Sequence, residues 1–416
     1  MSWAVSRVLR DRNAGLYLAG VVVSGFGTSA MALVSGVWVK SLTDSNSLAA
    51  LTGVCLWTPT LFGPLIGVAA DRVRRRTLLV RANLAMAVVL LTLLTVRSED
   101  QVWVVFAVMT LYGVSGVLLD AAEAGLVSTT VRAELRGEFN GLRMSANEGM
   151  KLLAPLIGAG LFVRFGGHGV VLLDAATFVA AAGVFALVRV GEDTRPPEAR
   201  THWLRETLEG VRGLRRQAAP RRLVAAGALT MAASGLNGAA IYAVADEGLH
   251  QEPAFVGVLY AVQGVGSVAA GLVAGTALRR LPEGVFAAVG IGVFAVGVAL
   301  RITSSVELAL VGSALIGLGL PCVLIAAMTA VQRETPDALI GRVAATASTL
   351  MFAPNALTAA AGAGLIATAD HRYVLAGAAV LALAAAGYAA RAGAGTAASA
   401  ESAEPVGSAE SGQARR

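Results

Sequence analysis

Charge is scarce in this chain. Only 14% of its 416 residues are Asp, Glu, Lys or Arg, whereas 56% are hydrophobic, and the mean hydropathy is +0.69. That balance excludes a water-solvated globule, whose charged fraction would be about 25%. Cysteine is scarcer still: Cys55 and Cys322 each fall inside an apolar run, which excludes a disulfide framework or a thiolate metal centre. The four histidines, His168, His202, His250 and His371, lie in connectors, so no histidine relay is expected within the apolar runs. A phosphate-binding loop is lacking, so a nucleotide is not the direct energy source. No nucleophile–base pair or metal-ligand set occurs in the apolar runs, so an enzyme is the least favoured class and neither cofactor nor metal is expected.

What the chain has in abundance is apolar sequence of membrane-spanning length. Runs of about 20 residues, enough to cross a hydrocarbon core, recur at 15–38, 48–70, 77–96, 102–128, 141–163, 170–190, 223–245, 254–278, 284–302, 306–331, 338–368 and 373–391. Each should be a helix, because lipid offers no other way to satisfy the backbone of a single span. The expected fold is an all-α membrane protein with twelve transmembrane helices in two pseudo-symmetric six-helix bundles. The first run is of full length and lacks an obvious cleavage site, so it reads as the first helix and not as a removable signal.

The formal charge of +6 reflects topology and not a nucleic-acid partner, because the 33 Lys and Arg residues crowd into connectors on one side. With the N-terminus inside, Arg7, Arg10, Arg12, Arg72, Arg74, Arg75, Arg76, Arg81, Arg132, Arg136, Arg143, the Arg-rich 189–222 connector, Arg279, Arg280, Arg333, Arg342 and Arg391 are cytoplasmic. The other side receives Lys40, Arg97, Arg164, Arg301 and Arg372. This asymmetry predicts a bacterial inner-membrane protein with both termini in the cytoplasm.

The organisation that follows is a cytoplasmic N-terminus (1–14), an N-terminal six-helix bundle (15–190), a cytoplasmic linker (191–222), a C-terminal six-helix bundle (223–391) and a disordered tail (392–416). Within the linker, Trp203, Leu204, Leu208, Val211 and Leu214 share one face of an amphipathic helix from His202 to Arg216, expected on the membrane surface. The halves are weakly repeated. Gly141 to Ala146, then Ala154, Pro155 and Gly158 to Leu161, recur six helices later as Gly341 to Thr346, then Ala353, Pro354 and Gly362 to Leu365.

At the cytoplasmic end of the second run stand Gly67, Asp71, Arg72, Arg75 and Arg76. Gly67 lets a neighbouring helix approach, and Asp71 suits the positive N-terminus of a facing helix or an Arg, as a breakable latch. This spacing resembles the signature loop of the major facilitator superfamily, departing from it at Arg74, where a Gly is usual. Helix five, with Gly141, Met150, Ala154, Pro155, Gly158 and Ala159, partly matches the Gly-rich motif of the superfamily's drug exporters. Asn140 with Gly141, and Asp174 to Phe178, are similar to the bacterial enterobactin and macrolide exporter branch. The resemblance spans residues 10–390 and implies a proton-driven exporter that alternates access between two rocking halves. The Arg that many drug/proton antiporters carry midway along helix four is absent from Leu111 to Gly116, so their proton relay does not carry over.

Polar residues within the runs are the remaining clue, since burying an ionisable group costs about 3 kcal/mol or more. Asp120 and Glu123 on helix four, with Asn147, Glu148 and Lys151 on helix five, fall at one depth and form a candidate layer for proton or substrate handling. The alternative is a structural salt-bridge knot around Lys151. Asp174, Asn237, Gln263 and Asn355 are secondary candidates, with Asp174 read as structural or capping. Tyr17, Phe26, Trp38, Trp57, Phe62, Tyr112, Tyr242, Tyr260 and Phe352 are possible aromatic cavity linings, although packing or lipid contact is the plainer role for any one of them.

The sequence thus predicts a monomeric, proton-coupled exporter of an amphipathic small molecule (antibiotic, siderophore or related metabolite), with protons, the substrate and bilayer lipid as its partners. A proton-coupled importer, or a membrane receptor or assembly partner on the same scaffold, stands as the alternative.

Overall fold

The computed structural model describes residues 11–63, 66, 73–130, 136–188, 203–336 and 339–401. They fold into α1 (Arg12–Thr43), α2 (Asn46–Trp57, followed by a tighter turn Thr58–Phe62), α3 (Arg75–Leu91), α4 (Val102–Thr130) and α5 (Arg136–Leu187). After these come α6 (Trp203–Arg216), α7 (Ala218–Ala243), α8 (Phe255–Leu278), α9 (Glu283–Leu300), α10 (Val306–Glu334), α11 (Ile340–Ile366) and α12 (His371–Glu401). Ten helices among the described residues are long and apolar enough to cross a membrane. This is a multi-pass membrane protein.

Side chains mark where the helices begin. Asp11 accepts from the backbone amides of Asn13 and Ala14, both at 3.1 Å, to open α1; Ser45 caps α2 through Leu48 N at 3.2 Å, and Ser305 caps α10 through Leu308 N at 3.3 Å. The 52-residue α5 is two arms joined at Gly166, where φ is 66° and ψ is −174°. Only glycine occupies that region comfortably, so one residue reverses the chain where a loop was expected between helices five and six. The last helix runs ten residues past the expected boundary at Arg391, because the Ala-rich run to Ala400 favours helix on its own.

Leu272, Trp103, Val163, Val88 and Val380 are more than half exposed, an apolar exterior suited to lipid. Inside, α1 packs on α5, and α5 on α3; α7 packs on α11 and α12, and α10 on α8 and α9. One core gathers Met31, Met86, Leu90, Val105, Tyr112 and Phe178, another Phe286, Phe294, Val323, Met351 and Leu375. The two sets of helices meet where α2 packs on α7 and α11, and α5 on α8. Small residues make these approaches possible: a Cβ on Gly257 would stand 2.6 Å from Ala159 Cβ.

α6 lies against the C-terminal helices. Gly210 abuts Thr346 Oγ1 and the Arg342 carbonyl, Leu214 is buried, and Arg342 Nη1 donates to Glu209 Oε2 at 2.7 Å. The arginines at the start of α3 and α7 and at the end of α6 and α8, with Arg391 of α12, collect at the end of the molecule where α1 begins, here termed the basic end.

Candidate functional site

Between the two sets of helices lies a cavity of about 670 Å³. Its N-terminal wall carries Thr28 and Ser29 of α1, Thr52 and Trp57 of α2, Tyr112, Ser115, Asp120 and Glu123 of α4, and Met150, Pro155 and Phe178 of α5. The C-terminal wall carries Ser234 and Tyr242 of α7, Tyr260, Gln263 and Ser267 of α8, and Asn355 of α11. Aromatic faces and scattered single polar groups suit a small molecule with both apolar and polar parts.

Away from the basic end the walls meet in a polar tie. Lys40 Nζ, buried at the end of α1, donates to Asp246 Oδ2 at 2.6 Å and to Asp44 Oδ1 and the Asp44 carbonyl, both at 2.9 Å. Asn46 Nδ2 reaches Asp246 Oδ2 at 3.2 Å and Glu247 Oε1 at 2.7 Å, and His371 Nδ1 lies 3.3 Å from Glu247 Oε2. Ser47 Oγ donates to the Ala363 carbonyl at 2.6 Å. Deeper, Tyr242 Oη reaches the Leu33 carbonyl at 3.4 Å, passing Gly36, where any Cβ would collide with the phenol.

Of the sequence candidates, Asp120, Glu123, Pro155, Gln263 and Asn355 line this cavity. Gly67, Asp71 and Arg72 lie outside the described residues; Arg75 and Arg76 open α3, and the Arg76 guanidinium donates to the Ala186 carbonyl. Asp120 and Glu123 both line the cavity, Asp120 exposed and Glu123 buried. Gly141, Asn147, Glu148 and Lys151 sit in the first arm of α5, and the side chains of the last three lie outside the described residues, as does the layer they would form with α4. Pro155 and Gly158 are buried, with Gly158 placed so that a Cβ would stand 3.0 Å from Ala30 Cβ of α1.

Asp174 does not cap a helix. It is fully buried beside the cavity, accepting from Tyr112 Oη at 2.9 Å and Thr177 Oγ1 at 3.2 Å, while Tyr112 Oη also lies 3.2 Å from Thr28 Oγ1. Thr28 and Tyr112 line the cavity, so a two-bond chain of hydroxyls leads from its surface to the carboxyl. Asn355 Nδ2 ties α11 to α7 through the Met231 carbonyl at 3.0 Å. Asn237 and Gln263, read separately in the sequence, converge on a residue that sequence reasoning assigned to the outer loops: Arg301 is fully buried and donates to both. Its position one residue past the end of α9 gave no sign that the side chain turns inward.

Comparison with known proteins fits this architecture. The chain is 24% identical over 217 residues to macrolide efflux protein A of Streptococcus pyogenes, covering 51% of this chain and 54% of that protein. It is 31% identical over 186 residues to multidrug resistance protein MdtH of Edwardsiella ictaluri, covering 43% and 44%. The match thus spans about half the length of these relatives. The fold is similar to that of a bacterial homologue of the iron transporter ferroportin in an inward-facing state, with a TM-score of 0.70, 16% identity and coverage of 92% of this chain and 98% of that one. The family model of the Major Facilitator Superfamily matches residues 16–241, more than half of the chain. The chain belongs to that superfamily, and it is a transporter rather than an enzyme.

Proposed function

We propose that this protein is a proton-coupled secondary exporter that carries an amphipathic small molecule, such as an antibiotic, a siderophore or a related metabolite, by alternating access. The cavity between the walls carries this reading: it offers aromatic and polar contacts, it is lined by Asp120 and Glu123, and it is tied shut at one end by breakable polar bonds. The efflux in the name of the Streptococcus pyogenes relative, and the multidrug resistance in that of the Edwardsiella ictaluri one, support export. An importer would use the same fold, and a receptor would have no need of acids in its cavity.

Counting α5 as two arms, and α2 with the turn that follows it, brings the ten spans to twelve, arranged as two six-helix bundles. The arginine excess assigns the basic end, both termini and α6 to the cytoplasm of an inner-membrane protein acting as a monomer. In this frame Gly67, Asp71, Arg72, Arg75 and Arg76 form the cytoplasmic latch, and the Lys40 tie closes the external side.

The test is transport in proteoliposomes with an imposed pH gradient, using erythromycin and ethidium as cargo, beside a measure of folded protein. Asp120→Asn, Glu123→Gln and Glu148→Gln should separate into two kinds. A proton-coupling residue, once neutralised, still permits exchange but no longer concentrates cargo against a gradient. A structural residue lowers folded protein, because a buried countercharge is left behind. Gradient-driven transport at normal levels in all three variants would exclude this acid group as the proton path.

A further inference from the structure

Arg301 is the largest of the fully buried side chains among the described residues. By position it should face water, because it closes α9 at the molecular end remote from the basic end, and a long cationic side chain at a helix end ordinarily reaches outward to the interface. It turns inward instead. Nη1 donates to Asn237 Oδ1 at 3.0 Å, and Nη2 to Ser313 Oγ at 2.8 Å and Gln263 Oε1 at 3.4 Å; Nε is buried without a partner. All three acceptors are neutral. The fold makes room for this stem through the close crossing of α9 and α10, where a Cβ on Gly312 would stand 2.6 Å from the Gly297 carbonyl and 3.6 Å from Arg301 Cγ.

A guanidinium buried among neutral dipoles is costly unless an anion or a function compensates it. Of its three acceptors only Gln263 lines the cavity, on one helical face with Tyr260 before it and Ser267 after it. The Gln263 bond is also the longest, at the outer limit for a hydrogen bond, so the weakest-held acceptor is the one the cavity reaches. An oxyanion arriving from the cavity would give Nη2 a bond in which both partners are charged, in place of one to a neutral amide oxygen. The opposite wall carries Asp120 and Glu123, with Asp174 behind it, so an anionic group has one wall to choose.

We propose that Arg301 is an anion subsite in the C-terminal wall of the cavity, covered by the displaceable side chain of Gln263, and that the substrates include amphipathic molecules bearing a carboxylate. This rests on the cavity being the substrate-binding site. It assigns the polar end of the cargo to α8 and α9 and its apolar body to the aromatic groups between the walls.

The test uses the full chain in phosphatidylcholine nanodiscs, with dansyl-aminoundecanoic acid and its methyl ester as probes. Binding is read as energy transfer from Trp57, which lines the same cavity and is more than half exposed, and Trp57→Phe identifies the share of the signal that arises there. The acid should bind at least about tenfold more tightly than the ester. Gln263→Glu gives Arg301 an internal carboxylate, and Arg301→Gln removes the charge; either should abolish the preference while ester binding persists. Where Arg301→Gln lowers folded yield, Gln263→Glu carries the test alone, because it neutralises the buried charge and keeps its bearer. Equal affinity for acid and ester in the native protein, or a preference that survives Gln263→Glu, overturns the subsite. A preference erased by phosphatidylglycerol in the nanodisc assigns Arg301 to a lipid headgroup and overturns the substrate reading. Absence of Trp57-dependent transfer from both probes overturns the cavity as binding site, and the subsite with it.

Discussion

Lys40 and Asp246 stand 206 residues apart in the chain and 2.6 Å apart in the fold, one near the end of α1 and the other just past the end of α7. Lys40 is 4% exposed and Asp246 40%, so water screens one partner and the pair contributes on the order of 1 kcal/mol. Asp246→Asn should therefore shift the ratio of closed to open external ends about fivefold toward open. Distances between spin labels on Arg97 and Glu252, measured by electron resonance in a cysteine-free background, would show a longer population. The double variant with Lys40→Met should add little to either single change; a fully additive effect would mean that the two residues act separately.

Asp174 accepts from two hydroxyls, Tyr112 Oη and Thr177 Oγ1. Asp174→Ala takes away the carboxyl that accepts from Tyr112 Oη, while Thr177 Oγ1 keeps the Asp174 carbonyl at 2.7 Å, and should destabilise the fold by about 1–3 kcal/mol, visible as a lower Tm. Asp174→Asn keeps one acceptor and the shape, so folded protein should be nearly normal. If the hydroxyl chain from Thr28 delivers protons to this carboxyl, the amide variant exchanges cargo yet fails to accumulate it under a pH gradient. Normal accumulation would leave Asp174 a packing residue.

Glycines of different kinds should respond differently to alanine. At Gly317 a Cβ would lie 1.8 Å from the Gln263 carbonyl, so Gly317→Ala must part α8 from α10, at about 1–3 kcal/mol. Gly166→Ala meets no neighbour within 4 Å but keeps a φ of 66°, so its cost is backbone strain alone, about 1–3 kcal/mol. Gly271→Ala meets nothing and is helical, so it should be neutral or slightly stabilising. Thermal unfolding of the three purified variants checks the order. A Gly271 variant as unstable as the Gly317 variant would show that helix contact is not what these glycines serve.

Orientation has a direct assay. Reporter fusions after Asp44 and after Gln251 should both behave as external, because each follows a helix that rises from the basic end. A cytoplasmic signal from either one would reverse the assignment drawn from the arginines.

Hydropathy made the spans legible because a helix in lipid must carry about 20 apolar residues in a row, which is a one-dimensional property. The site was legible in fragments. Asn237 and Gln263 stand out as polar residues within apolar runs, whereas their common partner Arg301 sits at the end of one, where a charge normally reports topology. Lys40 is hidden for the same reason: its place in the chain is that of a loop charge, and only the pairing with Asp246 shows that it faces a buried seam. Tyr112 looks like one more packing aromatic until α5 brings Asp174 to its hydroxyl. In each case the informative quantity is the direction of a side chain relative to a distant helix, and no periodicity within one run encodes it. A break was expected between 163 and 170, and Gly166 supplies it; that one residue suffices where a loop was expected escaped for a related reason, since its φ is set by the two arms it joins.

α6 is anchored by Gly210, Gly213 and Leu214 to α11 and by Arg342 to Glu209, and it rides with the C-terminal helices. A division of the gene just before Trp203 would therefore leave each product with its own finished packing surface. Two separately translated polypeptides, joined only by contacts between the walls, would then report how strongly those contacts hold without a covalent tether, by whether one retains the other through purification.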